Sequence, residues 1–209
     1  MSNRQSQPVV VYADYACPFC YLGYESFDRY RESRDAPIAT DWRPFDLRGQ
    51  QRRPDGTIDE SVETGKDEQY YEQARENVER LADRYGVELA QTIRKDVDSY
   101  DAQRVALRVR EEYPDQFETF HRAIFDALWE DGRDIGEQEV LEKFATTAGL
   151  PESFVDKTLS DPDTARQLED EFDRARSRRI TGVPTFVAGE HAARGAVPPE
   201  QLRRLIEGN

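Results

Sequence analysis

Cys17-Pro18-Phe19-Cys20 contains the only two cysteines in 209 residues. One pair cannot build a structural disulfide framework, so its spacing reads as chemistry. At i and i+3 of a helix the two sulfurs share one side of the first turn, close enough to bond. Cys17, at or near the N-cap, meets unpaired backbone N–H groups and the positive end of the helix dipole, which favour a thiolate. Its pKa is expected to fall below the free value of about 8.5. Cys20, one turn further in, is expected to be more buried and less acidic. In the resulting cycle a substrate thiol and Cys17 share a mixed disulfide, which Cys20 or a second substrate thiol resolves. Pro18 suits the first turn, where its missing N–H would be unpaired anyway.

Two other chemistries compete for the pair. Zinc takes four ligands, and the only other soft ones are His121 and His191. Neither stands at zinc-finger spacing and no second cysteine pair exists, so no metal is expected. The remaining reading makes both cysteines inert buried thiols.

The pair must be positioned by a strand that hands over to a helix. Pro8 to Tyr15 opens with a β-branched run, and Tyr21, Leu22, Tyr24, Phe27 and Tyr30 follow at helical spacing. Pro37 to Phe45 reads as a second strand, giving a βαβ unit. Residues 48–66, rich in Arg, Asp, Gly and Pro, read as a solvated loop. Four apolar stripes then predict helices, marked by Tyr71 to Tyr85, Ala102 to Tyr113, Phe117 to Leu128 and Val140 to Ala148. Asp161 before Pro162 predicts an N-cap and a helix ending near Gly182. Thr185 to Ala188, the Gly189-Glu190 turn and His191 to Arg194 read as strand, turn and strand, and Pro198 to Ile206 as a closing helix. Strand-rich ends around a helical middle describe a small α/β domain interrupted by a helical insertion.

Composition limits the partners. The formal net charge is −14, with 43 acidic residues. Such a surface repels phosphate backbones, which argues against nucleic-acid and anionic-membrane binding. Only four of the 29 basic residues are lysines. Acidity with Arg in place of Lys suits a cytosolic protein of a salt-loving microbe, although a GC-rich genome coding an ordinary acidic protein would look similar. No segment resembles a signal peptide or a membrane span, so a soluble cytoplasmic protein is expected.

Several further residues carry two readings. Asp14, three residues before Cys17, can relay a proton as Cys20 is activated, but Asp more often caps a turn or helix start. His121, between Phe120 and Ile124, reads as a structural histidine. His191 has no evident catalytic partner. Tyr21, Tyr70 and Tyr71 can line an apolar groove or simply belong to the core.

Asp14-Tyr15-Ala16-Cys17-Pro18-Phe19-Cys20-Tyr21-Leu22-Gly23 together with Thr181-Gly182-Val183-Pro184-Thr185-Phe186 resembles the DsbA-like branch of the thioredoxin superfamily. Within it the chain is most similar to the FrnE-like subgroup, relatives of 2-hydroxychromene-2-carboxylate isomerase. Phe125 to Trp129, Asp134 to Gly136 and Gly195-Ala196 carry the same likeness, which runs nearly end to end. The resemblance implies a cis Val183–Pro184 bond beside the dithiol, with Pro18, Phe19, Val183 and Pro184 contacting substrate. Phe19 departs from the strongly oxidising members, which place a His there. It offers the thiolate neither N–H nor charge, so a less oxidising couple is expected. Ala102-Gln103-Arg104 stands where many subgroup members carry Ala-His-Arg, so the role of that His does not carry over.

The combined expectation is α/β, a thioredoxin fold with an inserted all-helical domain. Residues 1–47 and 180–209 form the discontinuous thioredoxin domain, and 48–179 the insertion, with helix 162–179 leading back. The expected activity is thiol–disulfide oxidoreductase or isomerase, with Cys17 attacking, Cys20 resolving and Asp14 available as proton relay. It needs no cofactor beyond the redox-active pair, although a low-molecular-weight thiol is compatible. Protein or small-molecule thiols and disulfides are the expected partners, and the chain is a monomer or homodimer. The alternatives are a thiol-cofactor-dependent small-molecule isomerase or transferase and a non-catalytic binding module. A cytosolic address favours reduction or isomerisation over net oxidation.

Overall fold

The β-branched run forms β1 (Val9–Ala13), in which every residue except Val10 is buried. A computed structural model describes residues 8–208. From β1 the chain turns into α1 (Pro18–Glu32) and returns as β2 (Thr40–Pro44), parallel to β1 with Trp42 opposite Val11. The βαβ unit is therefore present, but its second strand begins at Thr40 and not at Pro37. Val9 pairs with Thr40 at the first position of the ladder, and its N–H donates to the Ala39 carbonyl at 2.9 Å.

Six helices follow: α2 (Glu68–Tyr85), α3 (Tyr100–Glu112), α4 (Pro114–Trp129), α5 (Gln138–Thr147), α6 (Phe154–Ser160) and α7 (Pro162–Ser177). Asp67 caps α2 by accepting from the Tyr70 N–H, and Asp161 caps α7 by accepting from the Asp163 N–H. Helix α6 is too short, at seven residues, to show a periodic stripe in sequence. Helix α7 stops at Ser177 and falls short of 179 and Gly182, because Arg179 takes a left-handed φ of 58° that no helix continues through. The chain closes with β3 (Thr185–Ala188), β4 (His191–Arg194) and α8 (Pro199–Glu207).

The sheet order is β2-β1-β3-β4, with β3 antiparallel to both neighbours. The fold is α/β, a four-stranded mixed sheet accompanied by many helices. One continuous apolar core joins the sheet, α1 and the helices of 68–177, with Trp42, Trp129, Phe27, Phe125 and Phe186 fully buried.

The segment 48–66 is more than solvated loop. The Arg52 side chain is 5% exposed, bridges Asp46 and Asp98, and lies 4.5 Å from the Tyr100 ring centroid. A charge so deeply placed is tolerable only when fully paired, and these partners tie the loop to the start of α3.

Candidate active site

The dithiol sits where β1 gives way to α1. Cys17 occupies the N-cap with an extended backbone, Pro18 is the first helical residue, and no side chain caps the helix. The Cys17 carbonyl accepts from the N–H groups of Cys20 and Tyr21, closing the first turn. Both thiols are free and buried, Cys17 at 4% and Cys20 at 0% exposure. The Cys17 thiol points toward the Val183 carbonyl, with Sγ 3.7 Å from the oxygen. Burial, then the hydrogen bond to Cys17, hold the Cys20 thiol well above the ordinary thiol range.

The facing loop is fixed from several sides. The Val183–Pro184 bond is cis. The Pro184 carbonyl accepts from the Gly195 N–H at 2.8 Å, and the Thr185 hydroxyl donates to the Gly182 carbonyl at 2.7 Å. Pro18 and Pro184 are buried, whereas Phe19 and Val183 are half-buried and rest on the core.

Asp14 lies beneath this pair, 1% exposed. Its Oδ1 accepts from the Ala16 N–H at 2.9 Å and from the Ser99 hydroxyl at 2.5 Å, and its Oδ2 from the Leu47 N–H at 2.8 Å. It therefore caps its own turn but not α1, and it also binds the loop after β2 and the start of α3. Burial pushes its pKa up to about 6, with Ser99 and Leu47 opposing and the nearby Asp46 charge adding to the rise. The Asp14 backbone reaches the Cys20 thiol. A buried carboxyl, a buried thiol and a helix-terminal thiol are thus gathered within one turn of chain.

The other sequence candidates separate. His121 is buried in an aromatic box, with Nδ1 2.6 Å from the Tyr15 hydroxyl and its ring stacked on Phe117. Burial drives its pKa down to about 3, so it is neutral and structural. His191 is exposed on β4. Tyr21 is wholly buried and donates to Glu130, so it lines no groove. Tyr70 is 47% exposed and sits in an edge contact with half-buried Tyr71. Among the described residues no cluster of three or more His, Cys, Asp or Glu side chains is arranged to hold a metal. A cleft of about 1380 Å³ opens between Arg53 and the face of α7 that carries Arg166, and ends at Thr181. Neither cysteine lines it.

Sequence reasoning missed Ser99, and took Gln103 only as the residue standing where similar proteins carry a His. Both are buried, and the Gln103 amide donates from Nε2 to the Ser99 hydroxyl at 3.1 Å while Oε1 accepts from the Phe45 N–H at 3.2 Å. The available signal was a polar residue, Gln103, inside the apolar stripe Ala102-Val105-Ala106.

A protein-family model for the DSBA-like thioredoxin domain matches residues 8–207. The chain belongs to the DSBA-like thioredoxin domain family. An uncharacterized Bacillus subtilis (strain 168) protein, YwbO, is 27% identical over 202 residues, covering 95% of this chain and 94% of its own. Among solved structures, a probable DsbA oxidoreductase from Streptomyces coelicolor, SCO1869, superposes with a TM-score of 0.76 at 24% identity, covering 97% of this chain and 90% of that one. A 2-hydroxychromene-2-carboxylate isomerase superposes at 0.75 with 18% identity, covering 97% and 94%. The cytosolic disulfide reductase DsbM from Pseudomonas aeruginosa, solved with GSH, superposes at 0.64 with 17% identity, covering 95% and 92%. At these identities the superpositions establish a common DsbA-like fold. Among the described residues no helix is long and apolar enough to cross a membrane.

Proposed function

We propose that this DsbA-like protein is a thiol–disulfide oxidoreductase or isomerase acting through Cys17 and Cys20. The observation that carries the reading is the pair itself: Cys17 at the N-terminus of α1 facing the Val183 carbonyl, and Cys20 buried behind it beside Asp14.

In the reducing direction Cys17, as thiolate, attacks one sulfur of a substrate disulfide. A mixed disulfide forms and the first substrate thiolate leaves. The helix N-terminus stabilises negative charge on the Cys17 sulfur before attack. Cys20 then gives its proton to the Asp14 carboxylate and attacks Cys17. The Cys17–Cys20 disulfide forms, the second substrate thiolate leaves, and two electrons have passed from dithiol to substrate. Oxidation of a substrate dithiol is the same path reversed, and isomerisation stops at the mixed disulfide. Val183 and Pro184 are the docking loop for the substrate backbone, and Pro18 and half-buried Phe19 supply its apolar floor.

Equilibration against thiol buffers of defined poise, read by mass-shift alkylation, tests the proposal. A reversible two-electron couple supports it. If no Cys17–Cys20 disulfide forms at any poise the dithiol cycle is wrong, and binding of added thiols beside Cys17 then tests a thiol-cofactor isomerase.

A further inference from the structure

We propose that Ser99, at the N-cap of α3, and Gln103, on its first turn, are positioning residues that hold Asp14 as the proton acceptor for Cys20. The inference rests on the thiol–disulfide reading above and deepens it: the group that accepts the resolving proton comes from the sheet, and the groups that set it come from the helical stretch.

Direction is built into the chain of hydrogen bonds. The Phe45 N–H, shared between the Ala13 carbonyl at 3.1 Å and Gln103 Oε1 at 3.2 Å, can only donate, so it orients the Gln103 amide with Oε1 toward Phe45 and Nε2 toward Ser99. Because Nε2 donates into the Ser99 oxygen, the single hydroxyl proton of Ser99 is aimed at Asp14 Oδ1. The Gln103 N–H also donates to the Ser99 carbonyl at 2.9 Å, so both residues are locked to one helical turn. No solvent competes, since Ser99 is 3% and Gln103 0% exposed. A buried Ser–Gln pair that served packing alone would not need to terminate on a carboxylate beside the resolving thiol.

Every donor to Asp14 favours its anion, the form that can take a proton from Cys20. The backbone N–H groups of Ala16 and Leu47 are fixed by the chain, so among the described residues Ser99 is the only side-chain donor. The groups opposing the anion are the burial of the site, Asp46 from the loop after β2, and the Cys20 sulfur on α1. The Tyr15 phenol, held neutral by burial, turns its hydroxyl to His121. Arg52 engages Asp46 and Asp98, so it does not neutralise Asp14 directly.

The test is a pH titration of the Asp14 carboxyl carbon by NMR on the reduced protein. Disulfide closure from a Cys17 mixed disulfide with a small thiol is followed in parallel. Ser99→Ala is expected to raise both midpoints by about one pH unit, the weight of one hydrogen bond to a charged group. Ser99→Thr restores them, and in an Asp14→Asn background Ser99→Ala no longer moves the closure profile. Gln103→Leu, which frees the Ser99 hydroxyl to turn, gives a smaller shift in the same direction and serves if Ser99→Ala does not fold. An Asp14 midpoint unchanged in both variants overturns the proposal. A wild-type chain that never closes its disulfide sinks the oxidoreductase reading instead, while the carboxyl titration still decides what Ser99 and Gln103 do.

Discussion

Gly23 on α1 faces the ring of Pro184 so closely that a Cβ at position 23 would stand 2.9 Å from the proline Cγ and 3.4 Å from the Phe186 ring. The approach brings the helix carrying Cys20 and the Val183–Pro184 loop into direct packing. Neither neighbour can yield by a side-chain rotation, since one is a ring closed on its own backbone and the other is fully buried. Gly23→Ala is therefore expected to displace the loop from Cys17. The overpacking should outweigh the gain in helix propensity and cost about 1–2 kcal/mol of stability. Disulfide exchange should slow by on the order of tenfold or more, as the docking loop moves from the thiol. Gly182→Ala, where no atom lies within 4 Å of the added Cβ, is the stability control. Equal unfolding midpoints for the two variants would contradict the packing argument.

Asp14 gives stability a pH dependence of definite sign. Its folded pKa of about 6 stands above the ordinary carboxyl value, so between about pH 4 and pH 6 the folded state binds more protons than the unfolded state. Stability therefore falls as pH rises through that window and is flat above it. The full effect is roughly 2–3 kcal/mol for a shift of about two units. Asp126, also raised to about 6 by burial, acts with the same sign in the same window. The informative quantity is thus the wild-type profile minus that of Asp14→Asn, obtained by denaturant unfolding across pH. A difference that is level from pH 4 to pH 7 would mean that folding does not raise the Asp14 pKa.

His121 contributes the opposite slope. Its folded pKa of about 3 lies below the unfolded value, so below about pH 6.5 the unfolded state takes up a proton that the folded state refuses. Stability is lost as pH falls from about 6.5 toward 3, and this partly masks the Asp14 effect in wild type. His121→Phe, in a box already formed by Phe117, Phe125, Tyr15 and Tyr24, should remove this acid lability. The cost is a Tyr15 hydroxyl left without its partner, about 1–3 kcal/mol at all pH. Unfolding at pH 4.5 and pH 7.5 separates the two effects, because only the titration changes between them.

The fold and the dithiol were legible because their signals are local. A β-branched run, a proline at the first helical turn and cysteines three apart each state a backbone requirement within a few residues. Chain ends were less legible where pairing across the fold decides them: the start of β2 depends on its register with β1, and the end of α7 on the left-handed Arg179. The second tier of the site was illegible because it is long-range. Asp14 meets Leu47 and Ser99 across 33 and 85 residues, and no periodicity predicts such a meeting. Arg52 read as loop because its composition is that of loop, yet Asp46, Asp98 and Tyr100 enclose it.

Phe19, the residue between Pro18 and Cys20, should set the poise of the couple. It is half-buried against the core and gives the Cys17 sulfur no hydrogen bond. Phe19→His places a donor next to that sulfur, stabilising the thiolate and hence the reduced form. The reduction potential should rise by roughly 30–60 mV, equivalent to about 1.4–2.8 kcal/mol for two electrons. Equilibration in thiol buffer reads this directly. A potential unchanged within 10 mV would place the control of poise elsewhere than at this position.

Division of labour between the two thiols is the last expectation, and it follows from their surroundings. Cys17 stands at the helix terminus with its sulfur directed to the Val183 carbonyl, whereas Cys20 is wholly enclosed beside Asp14. An incoming disulfide meets Cys17 first, and Cys20 is in reach only of what Cys17 has captured. Cys20→Ser should therefore trap substrate as a mixed disulfide on Cys17, stable until an external thiol is added. Cys17→Ser should trap nothing and retain a single, slowly alkylated thiol. Mass spectrometry of each variant after exposure to a small disulfide distinguishes the roles. Capture by Cys17→Ser at the rate of Cys20→Ser would reverse the assignment and require the α1 N-terminus to open enough to expose Cys20. Slow capture by both, with the reversible wild-type couple intact, would instead point to a substrate that must engage the Val183–Pro184 loop before its sulfur can reach Cys17.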